Sequence, residues 1–269
     1  MITSTANPGI VAIRKLADSK HRKQTGLFLA EGLKAVGQAF DSHAEIQTLV
    51  ISPEELVSDY GKQLAGMAEN LQIPVLEVSA RVFETIARKD KPQGIAAVIK
   101  QKWVRLENFL AKKGQLLLAL ESIQNPGNLG TILRTCDATS VAALILLDDS
   151  TDPYDPAAVK ASMGSVFTVP LIKADLKKLE SWLSHFKFVT PLATSDQGES
   201  DYVCYRYPET PLFLMGSERQ GLSAGYKSLA RTTLRIPMSG ACDSLNLSVA
   251  TGVFLFQAYN QKRITTRGG

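Results

Sequence analysis

Cysteine and histidine are both scarce, with three of each in a chain of 269 residues. Cys136, Cys204 and Cys242 are odd in number and widely spaced. That excludes a disulfide framework and a zinc-binding pattern and leaves three reduced thiols. His21, His43 and His185 lie outside the segments singled out below, so a histidine-based active site has few candidates. The longest unbroken apolar run, Val141 to Leu147, is seven residues, whereas a spanning helix needs about 20. The opening residues MITSTANPGIVAIRKL lack a basic start followed by an apolar stretch, so no signal peptide is expected and the cytoplasm is the expected compartment. Aromatics make up only 7%, too few for base stacking across a broad sheet. The glycine fingerprints of dinucleotide-binding and P-loop proteins are missing, which opposes a dehydrogenase. There is no internal repeat and no low-complexity tract.

What is present is ordinary in bulk. Hydrophobic residues make up 45% and charged residues 21%, which excludes a mainly disordered chain and suits one or two domains. The net charge of +4 is placed unevenly. The first 30 residues carry Arg14, Lys15, Lys20, Arg22 and Lys23 against Asp18 alone, which accounts for the whole excess. Such a patch attracts polyanions by releasing their counterions, and these five cations are the candidate RNA contacts. Read more plainly, they are a solvated helix end.

The periodicity predicts a helix over 8–19, with Ile10, Ile13 and Leu16 on one face, then alternating strands and helices. Strands are expected at 28–29, 46–51, 75–78 and 95–99. Helices are expected at 31–40, from Pro53 to about Asn70, and at 79–87. A polar, basic linker follows. A second series places strands at 115–121, 142–148, 186–192, 211–216 and 232–236, and helices at 128–139, 175–185, 223–230 and 246–261. Runs such as QLLLAL and AALILL indicate strands buried on both faces, as in a parallel sheet. The expected organisation is an N-terminal α/β domain over 1–102, a linker over 103–114 and an α/β layered domain over 115–269.

Three segments of the second domain stand out, each at a strand end, where α/β sheets bind ligands. In ESIQNPGNLGTILRTCDA (121–138) a strand ends in a carboxylate and an Asn/Gly turn opens a helix carrying Arg134. Gly127 and Gly130 allow close backbone approach, and Asn125 and Asn128 tolerate left-handed turns. Alone, this reads equally as ordinary turn punctuation with a surface arginine. In LFLMGSERQGL (212–222) an apolar strand runs into Gly216, Glu218, Gly221 and Leu222. In IPMSGACDSLNLSVATGVFLFQAYN (236–260) Ser244 is the expected N-cap of a helix whose first turn holds Asn246 and Ser248. The glycosylation sequon at 246–248 is set aside because nothing indicates secretion. The acidic loop DDSTDPYDP (148–156) is read as a solvated connection with Asp155 starting a helix, rather than as a metal site.

Together and in this order, the three segments resemble the SpoU family of RNA ribose 2′-O-methyltransferases, of the SPOUT class. N-x-G-N-x-G-x-x-x-R stands as Asn125, Gly127, Asn128, Gly130 and Arg134. G-x-E-x-x-G-L stands as Gly216, Glu218, Gly221 and Leu222. I-P-M is Ile236 to Met238, and S-L-N-x-S-x-A is Ser244, Leu245, Asn246, Ser248 and Ala250. The resemblance covers about residues 115–262. The run KASMGSVFTVP (160–170) is similar to the family's Ser-x-Gly segment through Ser162 and Gly164. Ser140 departs from the family, where glycine is common. The N-terminal unit is similar, through its element pattern and FLAEG (28–32), to the smaller RNA-binding domain that often precedes the catalytic one.

The resemblance implies a mostly parallel sheet with a C-terminal trefoil knot, a homodimer through the knot domain, and S-adenosylmethionine held by Gly216, Ile236 and Leu245, with Leu192, Ala193, Thr194 and Met238 beside it. It implies Arg134 as the catalytic residue, with Asn125, Asn128, Glu218, Ser244 and Asn246 holding it and the ribose. A 2′-hydroxyl is a poor nucleophile that needs a base or a positive neighbour. Arginine is almost always protonated, so whether Arg134 removes the proton or stabilises the alkoxide stays open. Ribosomal RNA is favoured over tRNA as the substrate. A non-catalytic RNA-binding assembly factor and a base-modifying SPOUT enzyme are the competing readings. No metal and no membrane partner is expected.

Overall fold

Ile10, Ile13 and Leu16, the stripe read from the sequence, are buried in the computed structural model, which describes residues 1–87 and 92–267. By internal contacts the chain forms two units. The first is Met1–Gln101 with Asp152–Thr168, and the second is Lys102–Thr151 with the chain from Val169 onward.

In the first unit, α1 (Pro8–Lys15) starts at Asn7, whose side chain accepts from the Gly9 amide, and Pro8 sits in the first turn where its missing N–H costs nothing. The single helix expected over 8–19 breaks, because Asp18 turns extended and its carboxylate caps α2 (Ser19–Thr25) through the Lys20 amide. Gly26, at φ 68°, closes α2 and leads into β1 (Leu27–Glu31). The order continues α3 (Leu33–Asp41), β2 (Ile46–Ile51), α4 (Asp59–Asn70), β3 (Val75–Glu77), α5 (Ala80–Ile86) and β4 (Ile95–Lys100). Helix α4 begins at Asp59 rather than Pro53, since Ser58 supplies the cap. The sheet order is β1-β4-β2-β3, with β2 parallel to β3 and the other pairs antiparallel. Helices α1 and α5 cover one face, α5 through Val82 and Phe83, over Val50, Ala96 and Val98 of the sheet. Each large side chain buried there contributes roughly 1.5–3 kcal/mol.

The second unit is a seven-stranded parallel sheet. After β5 (Leu116–Glu121), α6 (Pro126–Ala138) and β6 (Val141–Leu147), the chain passes through the first unit as α7 (Pro156–Ser162). It returns as β7 (Leu171–Ala174), α8 (Leu176–His185), β8 (Thr190–Thr194), β9 (Ser200–Asp201), β10 (Pro211–Met215), α9 (Ala224–Leu229), β11 (Thr233–Arg235) and α10 (Leu247–Arg267). The strand order is β7-β6-β5-β10-β8-β11-β9. Strand β10 is buried at all five positions, as expected of a parallel strand covered on both faces. Strands β7 and β9 were not expected. Both are edge strands of at most four residues, and edges are kept short to discourage stray pairing. No helix among the described residues is long and apolar enough to cross a membrane.

Ser140 follows α6 at φ 54°, in the left-handed region. This accounts for the family's glycine at this place, since a Cβ is unfavourable there. Ser140→Gly is expected to stabilise the chain by about 0.5 kcal/mol, once the greater entropy of an unfolded glycine is offset, as read by chemical denaturation.

The excursion Asp152–Thr168 is expected from sequence to lie within the catalytic domain, yet its contacts are with the first unit. Tyr154 and Phe167 pack on Phe28, with ring centroids 4.6 and 6.0 Å away. Asp155 caps α7 by accepting from the Ala157 amide. Its other carboxylate oxygen accepts from Arg22 at 3.1 Å, and Asp152 accepts from the Arg22 Nε at 2.7 Å. Arg22 also donates to the Leu16 and Ala17 carbonyls and is 1% exposed. Arg22 is therefore not an RNA contact. Its charge is consumed inside the unit, and the acidic loop is a structural clamp rather than a solvated connection. The Ser162 hydroxyl is buried and donates to the Val159 carbonyl. Gly164, at φ 103°, lies where a Cβ would press on the Gln38 side chain.

Candidate active site

Strands β5 and β10 pair side by side, so the turns at their carboxyl ends leave the sheet together. Strand order reverses here, with β6 and β7 beyond β5 and with β8 and β11 beyond β10. This is the switch point at which open α/β sheets bind ligands. Glu121, the last residue of β5, accepts from the Ser223 amide at 2.7 Å and ties the two turns together. The sequence offered a signal for this role, a carboxylate ending a buried strand, without identifying its partner.

Asn125 caps α6, its Oδ1 accepting from the Asn128 amide at 3.1 Å. The Asn128 side-chain amide donates to Glu218 Oε1 at 2.8 Å, and its Oδ1 accepts from Asn246 Nδ2 at 3.2 Å. Asn246 Oδ1 in turn accepts from the amide and hydroxyl of Ser248, at 2.9 and 2.6 Å. One hydrogen-bonded chain, Glu218–Asn128–Asn246–Ser248, thus joins the three sequence segments. Because each carboxamide is engaged at both ends, neither can flip without losing two bonds. Gly216 is buried where a Cβ would collide with the backbone of Gly221 and Leu222, so only glycine lets the turn after β10 close. Gly221 sits at φ 65°.

A second group lies at the ends of β10, β8 and β11, which are neighbours in that order. Leu192 and Ala193 are buried in β8, and Thr194 ends it, donating to the Leu214 carbonyl. Ile236 follows β11 and opens an exposed run, Pro237 to Asn246, in which Met238 and Leu245 leave apolar side chains uncovered.

Two residues stand apart from the hydrogen-bonded chain. Ser244 is exposed and does not cap α10. Asn246 does, accepting from the Ser248 amide while its carbonyl accepts from Ala250. Arg134 is exposed and makes no hydrogen bond or ion pair with any described residue of its own chain. Six residues on from Asn128, it points about 240° around α6, on the face of Gly127 and Thr131. Within one chain, none of the residues expected to hold Arg134 hydrogen-bonds to it. Cys136, on the inner side of α6, is fully buried, and burial together with Asp137 pushes its thiol far above the ordinary value, so it is no base. In the first unit Lys15, Lys20 and Lys23 are exposed and Arg14 is half-buried. Among the described residues no cluster of three or more His, Cys, Asp or Glu is placed to hold a metal ion.

The model of the SpoU rRNA Methylase family matches residues 115–256, more than half of the chain. The chain belongs to the SpoU family. An MRM3-like substrate binding domain matches residues 7–97. Among solved structures, the AdoMet-bound rRNA methyltransferase of Sinorhizobium meliloti superposes with a TM-score of 0.88 at 38% identity, covering 96% of this chain and 97% of that one. Among curated relatives, the 23S rRNA (guanosine-2′-O-)-methyltransferase RlmB of Vibrio vulnificus is 30% identical, covering 82% of this SpoU chain and 95% of its own. The 23S rRNA (guanosine(2553)-2′-O)-methyltransferase RlmP of Bacillus subtilis is 27% identical, covering 95% and 97%. The SPOUT-type parallel sheet, expected from the three segments, and a preceding substrate-binding domain, expected from the N-terminal element pattern and FLAEG, are thereby borne out.

Proposed function

We propose that the chain transfers a methyl group from S-adenosylmethionine to a ribose 2′-hydroxyl of 23S-type ribosomal RNA. The observation that carries this reading is the Glu218–Asn128–Asn246–Ser248 chain, which gathers three distant segments at the carboxyl end of the sheet and leaves them open to a ligand. The family and its 23S-acting relatives support it.

The residues at hand fit the cofactor. Uncovered Met238 and Leu245, together with the neutral ends of β8 and β10 at Thr194 and Met215, suit an apolar, hydrogen-bonding group such as an adenosyl moiety. Gly216, Ile236 and Leu245 would hold it, with Leu192 to Thr194 and Met238 alongside. When bound, it supplies a sulfonium methyl that needs little activation. The chain's own task is then to place and polarise the ribose oxygen. Asn128 and Asn246, locked by their neighbours, are positioned to hydrogen-bond the sugar. Arg134 supplies the positive charge that a developing alkoxide requires.

Because Arg134 faces away from Asn128 in its own chain, we assign it to the site of a second copy, in a homodimer through the second unit. The trefoil knot belongs to the same reading, as does a cytoplasmic location, where ribosomal RNA is met. The test is incubation of a 23S rRNA transcript, and separately of total tRNA, with methyl-labelled S-adenosylmethionine, followed by nucleoside mass spectrometry. A single 2′-O-methylated nucleotide is the expected result. Label on a base, or on tRNA alone, overturns the assignment.

A further inference from the structure

A cavity of about 440 Å³ opens in the first unit, within the range of small-ligand sites, roughly 300–1,000 Å³. Its floor is apolar, from Ile13, Leu29 and Val159. Among the described residues its lining carries three cations, Arg14 on α1, Lys34 on α3 and Lys160 on α7, against one carboxylate, Glu31. None of the three cations is ion-paired to a described residue, whereas Lys62, Lys100 and Lys178 each have a carboxylate partner. Unpaired cations converging from three helices on one small opening create a positive potential that an anion relieves. An apolar floor below that rim matches the two halves of a nucleotide, a flat base and its phosphates.

The wall formed by α7 is held in place. Arg22 grips Asp152 and Asp155 at its start, and at its end Met163, at φ 54°, lines the cavity. A left-handed non-glycine residue persists only where its surroundings enforce it.

We propose that this cavity receives one nucleotide of the RNA substrate, its base against Ile13, Leu29 and Val159 and its phosphates at Arg14, Lys34 and Lys160. The inference rests on the RNA reading above and adds to it a pocket, two lysines outside the N-terminal basic run, and a positioning role for Arg22.

The test uses the full-length protein and an unmodified 23S rRNA transcript. The Lys34→Glu/Lys160→Glu variant is expected to raise the KM for RNA at least tenfold. Losing two phosphate contacts should lower the slope of log affinity against log salt by about 1.5. The affinity for S-adenosylmethionine should stay as in the wild type. Ala35→Trp, which fills the cavity without changing charge, is expected to raise KM severalfold and leave the salt slope intact. Should charge reversal unfold the unit, Lys34→Gln/Lys160→Gln gives the same readout with a smaller change. If the wild type methylates the transcript while these variants keep its KM and salt slope, the pocket assignment falls alone. Micromolar capture of free AMP or UMP with unaltered RNA affinity overturns it in favour of a free nucleotide. If the wild type neither binds nor methylates the transcript, the RNA reading falls and the pocket falls with it.

Discussion

Replacing Arg134 by alanine is expected to cut methyl transfer at least about 10³-fold, while affinity for S-adenosylmethionine stays within twofold. Removing one group that stabilises developing charge typically costs about 10²–10³, and here the three segments hold no His or Lys that could substitute, while of their two cysteines only Cys242 is exposed. Cys136 is sealed in the core of the second unit. Stability should hardly change, because the exposed guanidinium has no partner to lose among the described residues of its own chain. Undiminished turnover in the variant would remove Arg134 from the mechanism. Whether it acts across a dimer is read by mixing Arg134→Ala with Asn246→Ala, each inactive alone. If Arg134 serves the partner's site, random exchange yields hybrid dimers in about half the population, each with one intact site, so about a quarter of wild-type activity returns. If it serves its own chain, nothing returns.

Arg22→Ala is the substitution with the largest expected effect on stability. It strips two carboxylates and two carbonyls of their shared donor. Breaking a buried ion pair from one side typically costs about 3–5 kcal/mol. Asp152 and Asp155 keep some contact with water, at 14% and 31% exposure, so the loss should be near the lower bound, about 3 kcal/mol. That corresponds to a fall in Tm of about 12 °C for a unit of this size, measurable by calorimetry. Adding Asp152→Asn and Asp155→Asn should recover part of it, since neutral partners no longer leave charge unpaired. A change in Tm below 2 °C on Arg22→Ala, well short of the roughly 3 kcal/mol that a buried pair implies, would contradict the clamp.

Much of the architecture was legible. The apolar runs of β5, β6 and β10 announced buried parallel strands, and the Asn/Gly turn after β5 announced a capped helix. The convergence of Asn128, Glu218 and Asn246 was not visible in periodicity. It came from the spacing of the three segments and their likeness to a family, since residues 90 and 118 positions apart in sequence have no local signature of contact. The direction of Arg134 was legible, because six residues along a helix do not return to the same face. Arg22 was not legible at all. Charge counting treats a cation in a basic run as solvated, and its partners lie 130 and 133 residues away. The helix cap passed from Ser244 to Asn246 because both are good capping residues and only the fold decides where the first turn begins.

The clamp also governs how this protein can be dissected. Since the first unit is built from two stretches of chain, a fragment ending near residue 101 would keep the guanidinium of residue 22 without the carboxylates that neutralise it, and Phe28 without its aromatic cover. A chimera that exchanges RNA-recognition modules between relatives must therefore carry residues 152–168 along with the N-terminal hundred, and a cut at the apparent linker would separate a lock from its key.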